Sequence, residues 1–171
     1  MLRLVHTNNA HRILRHYTPT ADDGQHTGVM AENLSVGAQL TLWSMRRWIQ
    51  SRQEVASHKH LEEQNVIKRL EGPYQQAGIP SALAFFDECM TLLSKIAIRQ
   101  VTIECPCKAA LNTDELRILN TFALSQNGEL NAAKLKISRL ITGRLRDIYC
   151  RSATQYANTL KRAGLPLQLL P

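Results

Sequence analysis

The stretch GIPSALAFFDECMTLLSKIAIRQ, Gly78–Gln100, decides how the chain reads. Pro80 and Ser81 open a helix in which Leu83, Phe85, Phe86, Met90, Leu92, Leu93, Ile96 and Ala97 surround the axis. A helix apolar nearly all round belongs inside a protein, so this segment is the expected central helix. Asp87 and Glu88 interrupt it, and Lys95 and Arg99 further along suggest a polar seam closed by a salt bridge.

Helical patterning continues on both sides. Upstream, NLSVGAQLTLWSMRRWIQSRQEVASH (33–58) offers Ser35 as a cap and the row Val36, Leu40, Trp43 and Arg47, with Leu42, Met45 and Ile49 beside it. Trp43 and Trp48 read as core and interface material rather than as a basic aromatic stripe for a membrane or nucleic acid. HLEEQNVIKRLEG (60–72) adds a shorter helix with Leu61, Ile67 and Leu70 inward, stopped at Gly72-Pro73.

Downstream, QVTIEC (100–105) is the one β-flavoured run, read as an extended connector without a partner. Asn112 or Thr113 then caps DELRILNTFALS (114–125), with Asp114 and Glu115 where the helix dipole favours acids. Leu116, Leu119, Phe122 and Ala123 form its inner row. ELNAAKLKISRLI (129–141) sets Leu130, Ala133, Ile137 and Leu140 on one face. The last helix carries Leu145, Ile148, Tyr149, Ala153, Tyr156 and Leu160, and Gly164 followed by Leu165-Pro166 stops it.

The fold expected from this pattern is all-α: a compact bundle of about five or six helices. Residues 1–32, with the polar TPTADDGQHTG, form a flexible N-terminal arm, and 33–171 form a single helical domain. Leu2, Leu4, Ile13 and Leu14 leave room in the arm for a short docking helix. Only 5% of residues are aromatic and glycine and proline are sparse, which disfavours a many-stranded architecture.

The formal charge of +7 is unevenly spread. Residues 1–32 are neutral and 33–107 carry +1, whereas 108–171 hold ten basic against four acidic side chains. Lys134, Lys136, Arg139, Arg144, Arg146 and Arg151 therefore define a basic C-terminal face. Such a face attracts an acidic protein surface or nucleic acid. DELRILNTFALSQNGELNAAKLKISRLI and the final basic turn resemble the helix–turn–helix rhythm of winged-helix regulators. The segment from Ile141 to Tyr156 is longer than the three- or four-residue turn of that motif, and no family is identified.

Catalytic patterns are missing. The sequence has no nucleophile elbow, zinc-protease helix or phosphate loop. The carboxylate pairs Glu62-Glu63 and Asp114-Glu115 are consecutive, so they point apart on a helix. His6, His11 and His16 recur every five residues, and His58 and His60 every two; neither spacing converges on a metal, and His26 stands in the polar arm. Cys105-Pro106-Cys107 reads as a bend, with a disulfide across it discounted as a strained ring. Cys89 and Cys150 read as core residues. The competing reading joins Cys105, Cys107 and Cys150 in a zinc or redox sensor. A third class, a small-molecule site, would gather Asp87, Glu88, Trp43 and Tyr156 around a pocket.

The sequence thus reads as a non-enzymatic, cytoplasmic, regulatory binding module with no bound cofactor. It has no apolar run of membrane-spanning length and no recognisable secretory leader.

Overall fold

A computed structural model describes residues 14–15, 26–57 and 64–171, without the side chains of 14, 15, 26, 55–57, 64 and 65. It shows a helical bundle of six α-helices: α1 Val36–Ser57, α2 Gln64–Gln76, α3 Ala82–Ile96, α4 Thr113–Gln126, α5 Leu130–Ile137 and α6 Leu145–Arg162. α3 packs along α6, α4 lies between α5 and α6, and α1 pairs with α2 and also touches α4. One apolar cluster runs through all six helices. Its ring-bearing centre is formed by Tyr74, Phe86, Phe122 and Tyr156, with Phe122 and Tyr156 edge to face at 5.0 Å.

The central helix is α4, not α3. α3 buries one face, comprising Ala82, Leu83, Phe86, Cys89, Met90 and Leu93, while Ala84, Glu88 and Lys95 are exposed. In α4 every residue from Ile118 to Gln126 is buried, the polar ones included. Polar side chains hide this helix from a hydrophobicity reading, and Asn120, Thr121 and Gln126 are each bound to a backbone group. Asn120 Nδ2 donates to the carbonyl of Leu170 at 3.0 Å, and its Oδ1 accepts from the Leu170 N–H at 2.7 Å. Gln126 does the same between Ala157 and Leu167. These two amides hold the C-terminal tail, 165–171, along α4.

The tail is also pinned to the start of α1. The Ser35 hydroxyl donates to the Pro166 carbonyl at 2.8 Å and accepts from the Ala38 N–H, the expected cap. Gly37 faces the tail backbone so closely that a Cβ there would stand 2.6 Å from the Leu165 oxygen. Gly37→Ala should therefore push the tail off α1, at about 1–3 kcal/mol by the usual penalty for overpacking. Urea denaturation reads the loss, and carboxypeptidase digestion should shorten the variant faster than the wild type. Equal stability and equal digestion would show that the tail is not seated there.

Several local expectations shift. α2 does not stop at Gly72-Pro73 but continues to Gln76 with Pro73 inside it. An interior proline is unfavourable by about 3 kcal/mol. What holds the last turn is Tyr74, fully buried and hydrogen-bonded to Ser44. The chain leaves at Gly78, whose φ of 69° suits glycine, and the Ile79 N–H closes back on the Tyr74 carbonyl. On α1 the expected row is rotated: Val36 is 67% exposed, and Ala38, Leu42, Met45 and Ile49 face inward with Thr41, Ser44 and Trp48. On α6 the inward row is Tyr149, Ala153, Tyr156 and Leu160, while Leu145 and Ile148 are exposed. Leu130, expected inside, is also exposed. Gly164 ends α6 as expected, with the Leu165 N–H on the Leu160 carbonyl.

The Val101–Thr102 run has a partner after all: it pairs in parallel with Leu14–Arg15. A second pairing joins His26–Met30 antiparallel to Ala110–Asn112. The described parts of 1–32 thus include two strands bound to the helical body, one of them holding Leu14, placed above in a possible helix. Strand partners far apart in sequence leave no periodic trace. His6, His11, His16, His58, His60 and Leu61 lie outside the described residues.

Candidate functional site

An ionic girder joins α1 to α4. Arg46, only 2% exposed, reaches from α1 to Glu115 on α4, which is fully buried. Its Nε donates to Oε1 at 2.8 Å and its Nη2 to Oε2 at 2.9 Å, a two-pronged pair. The guanidinium also donates to the carbonyls of Lys108 and Ala110. Glu115 accepts two more bonds, from the backbone N–H of Glu104 at 3.0 Å and of Asn112 at 3.1 Å. The second of these completes a capping box with the Asn112 side chain. Every nitrogen of the guanidinium and both carboxylate oxygens are therefore engaged, which is what makes a buried ion pair tolerable.

Asp114, adjacent on the helix, points the other way, as consecutive residues must. It pairs with Arg99 and with Arg117, the latter at 2.9 Å, and accepts from the Thr102 N–H. The seam expected among Asp87, Glu88, Lys95 and Arg99 is not formed this way. Arg99 goes to Asp114, and Asp87 accepts the Trp48 indole N–H at 2.7 Å.

Arg117 leads to a groove on the surface. α5 presents Ala132, Leu135 and Lys136 on one side, at helical spacings of three and four, and Arg139 follows in the turn after it. Arg117 and Leu124, two turns apart on α4, face them across a groove of about 440 Å³. Leu169 and Leu170 of the tail complete the wall. Leu170 is buried, whereas Leu135 is 74% and Leu169 55% exposed. Burial lowers the Arg117 pKa from its ordinary value, opposed by Asp114 and reinforced by Arg99 and Arg139. The guanidinium nonetheless remains charged.

The basic face expected from the sequence divides in two. Lys136 and Arg139 enter the groove. Lys134 turns away to Asp147 at 2.7 Å, where Arg146 and Arg151 also act on that carboxylate and help hold its pKa down. Arg144 is exposed at the N-cap of α6. Residues 138–144 separate α5 from α6, longer than a helix–turn–helix turn. The sequence reading missed Arg117, three residues after Asp114 in a helix read for its apolar row. The tail's part in the groove left no signal, since it follows from Asn120 and Gln126 binding its backbone.

The remaining candidates separate. Cys105 and Cys107 are joined in a disulfide, against the expectation of free thiols around a bend. Cys150 is buried on α6, and no group of three or more His, Cys, Asp or Glu able to hold a metal occurs among the described residues. Cys105, Cys107 and Cys150 are thus not one ligand set for zinc. Tyr156 is sealed in the core, sharing hydrogen bonds with Thr41 at 2.9 Å and Tyr74 at 3.1 Å. Glu88 is exposed and Trp43 half-buried, so the small-molecule site built on these residues does not assemble.

Compared with protein-family models, curated proteins and solved structures, the chain matches none of them.

Proposed function

We propose that this chain is a helical binding module, without catalytic activity of its own, whose groove between α4, α5 and the tail takes an acidic, leucine-bearing protein segment. The observation that supports this reading is the placing of Arg117, Lys136 and Arg139 around the exposed Leu135 and Leu169. Cations supply attraction and register; apolar walls supply burial for side chains that a carboxylate-rich segment presents between its charges. Single-stranded nucleic acid fits less well. Base stacking needs open aromatic faces, and the described rings are all buried or half-buried. The reading keeps the cytoplasm as its setting. No described helix is long and apolar enough to cross a membrane.

Fluorescence anisotropy with a labelled peptide of alternating Glu/Asp and Leu, beside a short DNA duplex, tests the proposal. Lys136→Glu with Arg139→Glu should weaken the peptide by about tenfold or more, and added salt should weaken wild-type binding in the same direction. Arg144→Glu with Arg151→Glu, outside the groove, should leave the peptide affinity within about twofold. An unaltered affinity in the first variant, or tighter capture of the duplex than of the peptide, would overturn the reading.

A further inference from the structure

The bond between Cys105 and Cys107 spans a single intervening residue, Pro106. Cross-links stabilise mainly by shortening the unfolded chain, and one that closes so small a loop contributes least. A core drawn from six helices has little need of it. Its surroundings suggest chemistry instead. Cys107 is exposed and Cys105 half-buried, so an external sulfur can reach the bond. Both flanks of the loop are held independently of it. On one side the Glu104 N–H is bound by Glu115; on the other, the carbonyls of Lys108 and Ala110 are bound by Arg46 and that of Ala109 by the Ala31 N–H. The backbone on both sides of the two sulfurs is thus tied to the buried ion pair and to Ala31 rather than to the disulfide alone.

The other two cysteines are withdrawn from such chemistry. Burial pushes the Cys89 thiol well up and Cys150 up to about 11, so neither supplies much thiolate at neutral pH. The exposed Lys108 follows Cys107 directly, a cation beside the sulfur most open to solvent. The nearest carboxylate on the loop, Glu104, is buried and receives the Asn112 amide.

We propose that Cys105-Pro106-Cys107 is a thiol–disulfide exchange site whose substrates are anionic thiols. A thiolate R–S⁻ attacks Cys107 Sγ, forming R–S–Sγ(107) and breaking the internal bond; Cys105 leaves as thiolate and takes a proton from water. A second R–S⁻ attacks the substrate sulfur of the mixed disulfide, giving R–S–S–R and the Cys107 thiolate. Two electrons pass from two thiols to the protein, and a disulfide of the same class reverses the sequence. This site rests on the loop and not on the α4–α5 groove, so either reading stands without the other.

Glutathione is the probe. The folded, oxidised protein is equilibrated in buffers of graded reduced-to-oxidised glutathione, quenched with an alkylating agent and weighed intact. The expected result is a shift from no alkyl groups to two, both on Cys105 and Cys107 by peptide mapping, with an unchanged far-ultraviolet circular dichroism spectrum. Cys105→Ser should trap one glutathione on Cys107, and Lys108→Glu should slow the wild-type exchange by several-fold. A pair that reduces only when the protein unfolds, or labelling of Cys89 and Cys150 at the same rate, would overturn the assignment. Should Cys105→Ser fail to fold, the wild-type titration decides alone.

Discussion

Glu115→Ala is expected to lower the unfolding free energy by about 3–5 kcal/mol, a large part of what holds a domain of this size together. The reason is Arg46, which would stay buried at the α1–α4 contact with its principal partner gone. Two backbone N–H groups, of Glu104 and Asn112, would lose their acceptor in the same stroke. Alanine also removes half of the capping box that starts α4. Urea denaturation followed by circular dichroism measures the change as a lower midpoint at unchanged slope. The double replacement Arg46→Met with Glu115→Leu should recover part of the loss, because apolar side chains of similar volume leave no stranded charge. A loss below about 1 kcal/mol for Glu115→Ala would place the pair in water instead.

The second large effect is on alkaline stability. Burial holds the phenols of Tyr74 and Tyr149 well above their ordinary range, and raises Tyr156 to about 12 even though Thr41 and Tyr74 hydrogen-bond to it. The Tyr149 hydroxyl has no hydrogen-bond partner among the described residues, so nothing local offsets its desolvation. In the unfolded chain these phenols titrate near 10. Between about pH 10 and 12 the unfolded state has therefore lost protons that the folded state keeps, and unfolding is favoured as pH rises. The stability these groups contribute is complete below pH 10 and is lost through the folded-state values. Each contributes a slope of about 1.4 kcal/mol per pH unit, and the buried Cys89 thiol adds to the trend from about pH 9. Thermal unfolding across this range should show a steep fall with rising pH, accompanied by tyrosinate absorbance only on unfolding. Tyrosinate appearing at pH 10 in the folded protein would mean that the rings are open to solvent.

Local features of the fold were legible in the chain and non-local ones were not. The start of α4 could be read because Asn112 and Glu115 stand three residues apart, and such a cap is complete within one turn. Tyr149, Ala153, Tyr156 and Leu160 could be read because helical spacing is a local property. Arg46 could not be matched to Glu115, since nothing in either neighbourhood announces a partner on another helix. Local propensity reads Pro73 as a stop; Tyr74, anchored by Ser44 and Tyr156, overrides that propensity. Hydrophobicity alone ranks α3 above α4, whereas Asn120 and Gln126 are buried as backbone ligands. Of the candidate site, Lys136 and Arg139 were visible as charge. Arg117 and the leucines of the tail were not, because the groove exists only once the tail is tied to α4.

Methyl-labelled leucine tests most directly whether an acidic segment docks in that groove. In a methyl NMR titration with the Glu/Asp–Leu peptide, the signals of Leu135, Leu169 and Leu170 should move together and saturate. Leu145 on α6, exposed but outside the groove, should stay in place. Movement confined to Leu145, or no movement at any of the four, would contradict it.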